Sequence, residues 1–469
     1  MLQCGDLATA ACSGDEALNS LERRSVIGLA GLYAMRMLGL FMVIPVFMLL
    51  GRDLEGATDF TLGLAIGVYG LSQAVLQIPF GFLADRWGRK PVIVGGLLLF
   101  AAGSVIAALA TSVEMVILGR LLQGSGAISA AVLALLTDLT REEQRTKAMA
   151  VIGMTIGLSF AVALVLGPLL GDWFGLAGLF WFTAGMALLG IPVTLWVVPT
   201  PAHSQPNRES GVVQNELVAA LRNKDLLRLD MGIFTLHMAL TGLFVAIPLT
   251  LTRQLSVEQS DHWMVYLSVM GLGFIAMVPF VIIAEKKRRM REVFLGAILT
   301  LSIAAFSMYW TSQSLVWFWL SLFGFFMAFN LLEATLPSLI SKVCPPGGKG
   351  SAMGIYSSSQ FFGAFIGGVL GGFVAQVADL SGVYLIVALL GLLWWIIART
   401  MPPIRYATSF VLKLQAVEPG RASEILADLL AIPGVEDATV IVNEQTAYLK
   451  VDKTILDEQA LLQYRFAAR

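Results

Sequence analysis

The sequence predicts an all-α membrane protein of twelve spans, arranged as two six-helix pseudo-repeats and followed by a small soluble α+β domain. Three observations carry that prediction. Of the 469 residues, 57% are apolar and only 13% charged, more apolar surface than a soluble chain of this length can hide. Hydrophobic runs of about 20 residues, the length that crosses a bilayer, follow one another from residue 26 to residue 399. Short stretches of the first half also return in the second at a nearly constant shift.

The runs of the first half lie near 26–50, 62–83, 91–110, 114–136, 147–170 and 178–198. Those of the second lie near 229–252, 262–284, 293–311, 315–341, 351–376 and 382–399. Alternate loops divide sharply by charge. One side carries Arg23 and Arg24, then Arg86, Arg89 and Lys90, then Arg141, Arg145 and Lys147, and later the run Lys286-Lys287-Arg288-Arg289-Met290-Arg291. The other side holds Arg52 and Arg253. By the positive-inside rule both termini are cytoplasmic. The first twenty residues lack the apolar core of a signal peptide and read as a tail. Cys4, Cys12 and Cys344 have neither disulfide nor metal-ligand spacing, so no metal or cofactor is expected.

Gly39-Leu40-Phe41-Met42-Val43-Ile44-Pro45 of span 1 recurs as Gly242-Leu243-Phe244-Val245-Ala246-Ile247-Pro248 of span 7. Pro79-Phe80 and Ala84-Asp85-Arg86 recur as Pro279-Phe280 and Ala284-Glu285-Lys286, and Ala148-Met149 as Ala352-Met353. The expected division is a tail at 1–25, a bundle at 26–198, a polar linker at 199–228, a second bundle at 229–401 and a soluble domain at 402–469. Parallel six-helix repeats with a site at their seam are a transporter architecture.

After Pro402-Pro403 the composition becomes that of a soluble protein. Ser409–Leu414 alternates like a strand, Arg421–Leu430 has helical periodicity, and Glu436–Val442 and Thr446–Val451 read as a hairpin. With a last helix over Asp457–Phe466, the order β-α-β-β-α suggests a ferredoxin-like domain without its final strand. Having no Cys, His or Met, it does not suit a soft-metal carrier. Stability, regulation and subunit pairing are its candidate roles.

Ionisable groups well inside the spans are Arg36, Arg120, His237 and Glu333, in spans 1, 4, 7 and 10. Each costs about 2.5–3.5 kcal/mol or more in lipid, so such groups face a wet cavity. Their three-helix period places these four spans around one central space. Glu333 is the candidate proton carrier, because a carboxyl withdrawn from water holds its proton more readily. A structural carboxylate paired with Arg36 is the alternative. Asn330 shares the helical face of Glu333, and Tyr33 that of Arg36. Arg36 either holds an anionic substrate, sets the proton affinity of Glu333, or is a structural counter-ion. His237 aligns with Ala34, ~200° around the helix from Arg36, which favours a packing role. Arg120 either faces inward or snorkels to the nearer interface.

The stretch Gly81-Phe82-Leu83-Ala84-Asp85-Arg86-Trp87-Gly88-Arg89-Lys90 resembles the loop-2/3 signature (motif A) of the major facilitator superfamily at every fixed position. Arg120-Leu121-Leu122-Gln123-Gly124-Ser125-Gly126-Ala127 resembles its motif B, tied in proton-coupled members to proton movement. Gly167-Pro168-Leu169-Leu170-Gly171 partly resembles the antiporter motif C, with Asp172 where a glycine is frequent. The resemblance, which covers nearly the whole chain, is to the drug:proton antiporter type. It implies the twelve-helix major facilitator fold and a proton-coupled exporter of the bacterial inner membrane. It also implies a latch in which Asp85 meets the start of span 11 (Gly350, Ser351), with Arg89 and Asp138 in a charge relay. Partners expected are a small-molecule substrate, protons and the bilayer, and not nucleic acid; a monomer is expected to suffice for transport, with pairing through the C-terminal domain open. Uptake by symport, or sensing through the C-terminal domain, are the rival functions. With no P-loop and no nucleophile constellation, an enzyme is not expected.

Overall fold

The computed structural model describes residues 18–201, 214–402, 408–414, 419–442, 445–452, 455–457 and 460–461. Most of the expected tail, the middle of the linker and most of the expected helix at 457–466 lie outside these residues. Ten long apolar helical segments are present among the described residues. Two of them, Glu142–Pro192 and Lys349–Ala398, are each two spans in line. The first breaks at Gly175 (φ 64°) and the second at Ala378-Asp379 (Asp379 φ 61°). These breaks supply the turns between spans 5 and 6 and between spans 11 and 12, and bring the total to twelve.

The other spans are Ser20–Phe41 (1), Asp59–Trp87 (2), Arg89–Ala108 (3), Val113–Asp138 (4), Lys224–Arg253 (7), His262–Lys286 (8), Met290–Thr311 (9) and Leu315–Val343 (10). Several open on side chains that cap orphan amide donors. Asn19 accepts from Glu22 N at 2.8 Å, Thr58 from Thr61 N at 3.1 Å and Asn223 from Asp225 N at 3.0 Å. Between spans 2 and 3, Gly88 adopts φ 95°, a conformation that only glycine takes without strain, and the chain turns there in one residue.

Two spans are less regular than their hydropathy suggests. Span 1 loses its helix after Phe41, runs through turns over 42–46 and resumes as Phe47–Leu50. Pro45, which lacks an amide donor, sits in this opening. Gly167 of span 5 packs on it; a Cβ there would lie 2.4 Å from the Met42 carbonyl oxygen. Span 4 is also interrupted, ending one helix at Ser125 and starting the next at Ser129.

We call the side that carries the turn between spans 2 and 3 the basic face. On it, Lys90 donates to the Val198 carbonyl at 2.6 Å, and Arg24 to those of Val197 and Trp196 at 2.7 and 2.6 Å. Both cations thus satisfy the orphan carbonyls that end span 6. The Glu22 carboxylate accepts from Arg141 N and Nε at 2.9 and 3.0 Å, tying the start of span 1 to the turn between spans 4 and 5.

The C-terminal domain is a three-stranded antiparallel sheet, β1 (Thr408–Lys413), β2 (Val435–Ile441) and β3 (Thr446–Val451), in the order β1-β3-β2. Helix Ala422–Ala431 buries Leu429 against it. The domain rests on the basic face of the second bundle. Arg288, between spans 8 and 9, pairs with Asp452 at 3.1 Å. Lys450 donates its amine to the Ser341 carbonyl at the end of span 10, and the Tyr448 ring lies against Gly347.

Away from the basic face, spans 2 and 11 join the two bundles backbone to backbone. A Cβ on Gly63 would lie 2.4 Å from Gly368 O, one on Gly67 2.6 Å from Phe365 O, and one on Gly70 2.4 Å from Phe361 O. The Phe60 amide donates to Gln376 Oε1 at 3.2 Å at the far end of this seam. Such contact relies on small residues, since lipid gives helices no hydrophobic drive to associate. Gly368→Leu should therefore pry the seam open. Overpacking costs about 1–3 kcal/mol, which is roughly a 5- to 150-fold shift in population. Disulfide formation between cysteines placed at 60 and 376, in a background without native cysteines, measures it; unchanged crosslinking would mean that this seam does not hold the bundles together.

Candidate functional site

The ionisable groups that the sequence singles out inside the spans fall into two clusters, one in each bundle. In the first bundle, Arg36 is 3% exposed and spends its guanidinium on neutral groups. It donates to Ser129 Oγ at 2.6 Å, Gln73 Oε1 at 2.7 Å, the Tyr69 hydroxyl at 3.1 Å and Gly126 O at 3.3 Å. Span 4 is interrupted at Gly126, which takes that carbonyl out of the helical ladder; it accepts from Ile128 N at 2.9 Å as well as from Arg36. Gln73 in turn donates to Gln77 at 2.7 Å. Tyr33 is buried one turn before Arg36.

Arg120 is 1% exposed and turns inward rather than to the interface. It donates to the carbonyls of Ala65 and Ile66 at 3.4 Å each and to Gln123 Oε1 at 3.1 Å. Its guanidinium carbon lies 5.1 Å from the centre of the Tyr69 ring, a cation–π distance. Tyr69 thus presents its hydroxyl to Arg36 and its face to Arg120. Gly124 makes the approach possible, since a Cβ there would sit 2.2 Å from Tyr69 O. Among the described residues neither arginine meets a carboxylate, so the expected alternative of an Arg36–Glu333 pair is not found. The physical reason is local supply: the Gly126 carbonyl and three polar side chains occupy Nη1 and Nη2 of Arg36 within its own bundle, while its Nε has no partner among the described residues.

In the second bundle, Gln360 of span 11 joins His237 to Glu333. Its amide nitrogen lies 2.8 Å from His237 Nε2 and 3.3 Å from Glu333 Oε1. Gln360 thus bridges the two side chains, the donor and acceptor roles at His237 Nε2 depending on the imidazole tautomer. Glu333 Oε2 stands 3.9 Å from the same imidazole nitrogen and has no hydrogen-bond partner among the described residues. Asn330 lies elsewhere: its side-chain nitrogen sits against Gly273 of span 8, within the bundle.

An aromatic file connects the clusters' surroundings across the seam. The His237 ring is 5.9 Å from Phe329, Phe329 is 6.2 Å from Phe160 of span 5, and Phe160 is 4.9 Å from Phe41 of span 1. Glu333 lies one helical turn to the basic-face side of Phe329, so this file screens it from the opposite side.

At the basic face, Arg89 is buried and bridges two carboxylates. It donates through Nη1 to Asp85 and through Nε to Asp138 at 3.3 Å. Asp85 and Arg86 are exposed, and Gly81 rests on Ala130 of span 4 at 3.6 Å. Among the described residues Asp85 pairs with Arg89, and no hydrogen bond or ion pair joins it to Gly350 or Ser351.

Sequence reasoning missed Tyr69, Gln73, Ser129 and Gln360, the neutral groups that hold the charged ones. A glutamine inside an apolar span was a readable signal for Gln73 and Gln360. It also missed Asp230 of span 7, which is buried with Oδ1 unpartnered among the described residues.

Comparison with known proteins agrees with this architecture. The family model of the Major Facilitator Superfamily matches residues 29–357 and 229–430. The chain is 47% identical to the inner membrane transport protein YajR of Escherichia coli (strain K12) over 450 residues, 94% of this chain and 98% of that protein. It is 27% identical to the multidrug resistance protein MdtH of Aeromonas salmonicida (strain A449) over 354 residues, 74% of this chain and 86% of that one. Among solved structures, the human organic anion transporter MFSD10 superposes with a TM-score of 0.60 at 20% identity, covering 81% of this chain and all of that one, a likeness of fold. The chain belongs to the Major Facilitator Superfamily and is a multi-pass membrane transporter, not an enzyme.

Proposed function

We propose that this transporter exports a small lipophilic compound across the bacterial inner membrane in exchange for protons, by alternating access. The observation that carries the reading is Glu333: a part-exposed carboxyl in mid-span, with one oxygen bridged to the His237 imidazole through Gln360 and the other without a hydrogen-bond partner among the described residues. Among the described residues the arginines of the first bundle are held by neutral groups and none pairs with it. Such a carboxyl is poised to exchange its charge for a proton. Efflux is favoured over uptake by the kinship with proteins named for multidrug resistance, and YajR is named as an inner membrane protein. The basic face is then the cytoplasmic one.

In this cycle Glu333 takes a proton when the cavity opens away from the cytoplasm and releases it when the cavity opens inward. The aromatic file and the seam of spans 2 and 11 close the outer side in the arrangement described. Closure of the cytoplasmic side falls to Asp85, which would leave Arg89 in part to meet the start of span 11, whose free amides carry partial positive charge.

Purified protein, screened for ligands by thermal shift and then reconstituted with an imposed pH difference, tests the reading. Opposed fluxes of proton and ligand are expected; parallel fluxes would mean uptake, and no flux of any bound ligand would mean sensing. Glu333→Gln should abolish pH-driven flux, by roughly 100-fold or more as for a lost proton-transfer group, while ligand still shifts the melting temperature; undiminished pH-driven flux would exclude Glu333 as carrier. Asp85→Asn should favour the inward-open state by about 5- to 150-fold, read as faster labelling of cysteines placed on the cytoplasmic half of span 11, with normal membrane levels. Normal labelling and turnover in that variant would remove the latch.

A further inference from the structure

The corner where spans 1, 3 and 6 meet at the basic face gathers positive charge. Span 6 ends in a widened turn over Val193–Val197, in which the Val198 amide reaches back five residues to the Val193 carbonyl at 3.0 Å. Widened turns of this kind are frequent at functional sites. The last carbonyls of the helix have no amide further along to take them. Arg24 of span 1 takes those of Trp196 and Val197, and Lys90 of span 3 takes that of Val198, with Leu195 O 3.5 Å from the same amine. One short strip of backbone thus holds a guanidinium and an ammonium side by side. Gly28 lets span 1 come this close, since a Cβ there would lie 3.0 Å from the Val198 side chain.

Arg23 stands beside them, exposed, and bonds to no other group among the described residues. The neighbouring carboxylates are engaged elsewhere, Glu22 with Arg141 and Asp85 with Arg89. Among the described residues no carboxylate pairs with Arg23, Arg24 or Lys90. A cleft of about 470 Å³ opens here, with Arg23 and Arg24 on one wall and Leu18, Ile27 and Val197 on the other. Ile27 is 62% exposed and Trp196, at its edge, 76%. A tryptophan bared at the end of a span is typical of the headgroup layer of a bilayer. The cleft therefore offers cations and apolar surface within one concavity.

The second bundle has the same corner without the surplus charge. Arg291, at the start of span 9, donates to the Arg399 carbonyl at the end of span 12 at 2.9 Å, as Lys90 does to Val198. At the start of span 7, however, Arg228 is paired with Asp225 at 2.6 Å. The Arg399 guanidinium lies 4.9 Å from the centre of the Trp395 ring. Anchoring the end of the last span of a bundle thus takes one cation. The first bundle brings three to that place and neutralises none of them among the described residues. Like charges held together repel, and a bound anion offsets that repulsion.

We propose that this corner binds an anionic phospholipid from the leaflet that borders the basic face, with Arg23, Arg24 and Lys90 holding the phosphate and Ile27, Val197 and Trp196 lying along the acyl chains. Basic pockets among spans recognise lipid headgroups in this way, by charge at the surface and apolar contact just below it. A lipid fits better than a free anion because one wall of the cleft is apolar. The site lies on the first bundle alone and shares no residue with the cluster of Glu333, so it stands whether or not that carboxyl carries the proton.

Native mass spectrometry of the delipidated full-length protein, titrated with phosphatidylglycerol and separately with phosphatidylcholine, counts bound lipids and gives their affinities. One phosphatidylglycerol should bind more tightly than any further copy and than any phosphatidylcholine. Arg23→Gln should weaken that site roughly fivefold, the effect of one basic residue at a membrane surface. It is the cleanest variant, because Arg23 supports no other part of the described fold. Combined with Arg24→Gln and Lys90→Gln, the loss should reach about 100-fold, while Arg24→Lys, which keeps the charge, should retain binding within about fivefold. Arg291→Gln, in the matching corner of the second bundle, should leave the tight site unchanged. If Arg23→Gln and the triple variant bind phosphatidylglycerol as the native chain does, or if phosphatidylcholine binds equally well, the proposal is overturned. If inorganic phosphate at equal concentration displaces the lipid, the corner is a site for a free anion and the lipid assignment falls.

Discussion

A charge inside a bilayer has to be answered by something other than water, and this protein answers positive and negative charge in different ways. Its mid-membrane guanidiniums receive neutral acceptors: hydroxyls, amide oxygens, freed backbone carbonyls and a ring face. An arginine held so keeps its charge permanently, because its proton does not leave under ordinary conditions. The mid-membrane carboxyls receive little, one amide for Glu333 and no partner for Asp230 Oδ1 among the described residues. A carboxyl has another way to meet the cost, which is to become neutral. The first bundle thus carries fixed charge and the second carries charge that can be discharged. That division places the variable element of the transport cycle in the second bundle, independently of what the cargo is.

The duplication makes the asymmetry easier to see. The two in-line turns fall at Gly175 and Asp379, 204 positions apart and both at positive φ, so the halves share even their strained residues. The charged corner at the basic face is shared in place but not in chemistry. In the first half, Arg89 bridges Asp85 and Asp138. In the second, Glu285 stands at the repeat position of Asp85 and pairs with Lys342 at 2.9 Å, with Ser338 donating to it at 3.1 Å. Lys342 stands where the first half has Asp138, so the bridging arginine is not needed.

Most of the architecture was legible because lipid allows few alternatives: backbone groups must pair within a helix, and each crossing needs about 20 apolar residues. The strands of the C-terminal domain were legible from alternation, to within one or two residues at each end. Irregularities within spans were harder. Gly124 and Gly126 read as close-packing residues, and they are, but the same glycines also let span 4 open and give Arg36 a carbonyl. Buried Arg36 and Arg120 and part-exposed Glu333 were visible because charge in an apolar run is conspicuous. Their partners depend on helix rotation and on register between helices, which a linear pattern does not contain. Opposite charge suggested Arg36 with Glu333, yet each found partners nearer at hand. Asp230 escaped notice because it is the second residue of its hydrophobic run, where a charge reads as a helix end, yet it is 5% exposed.

The two ways of closing the molecule differ in kind. The seam of spans 2 and 11 is glycine on backbone, with one amide bond at its end. Its strength comes from van der Waals fit alone, which is indifferent to pH and to charge. Proton binding therefore has no direct hold on that seam. Any influence must pass through groups that titrate and also touch the moving parts, and the cluster of His237, Glu333 and Gln360 meets both conditions. Gln360 is on span 11 itself, two turns below the glycines of the seam, and is bonded to the carboxyl on span 10. Phe329, one turn from Glu333, leans on Phe160 of the other bundle. Under the proposed proton exchange, neutralising Glu333 would weaken its claim on the Gln360 amide and so act on span 11 at the level where the seam begins.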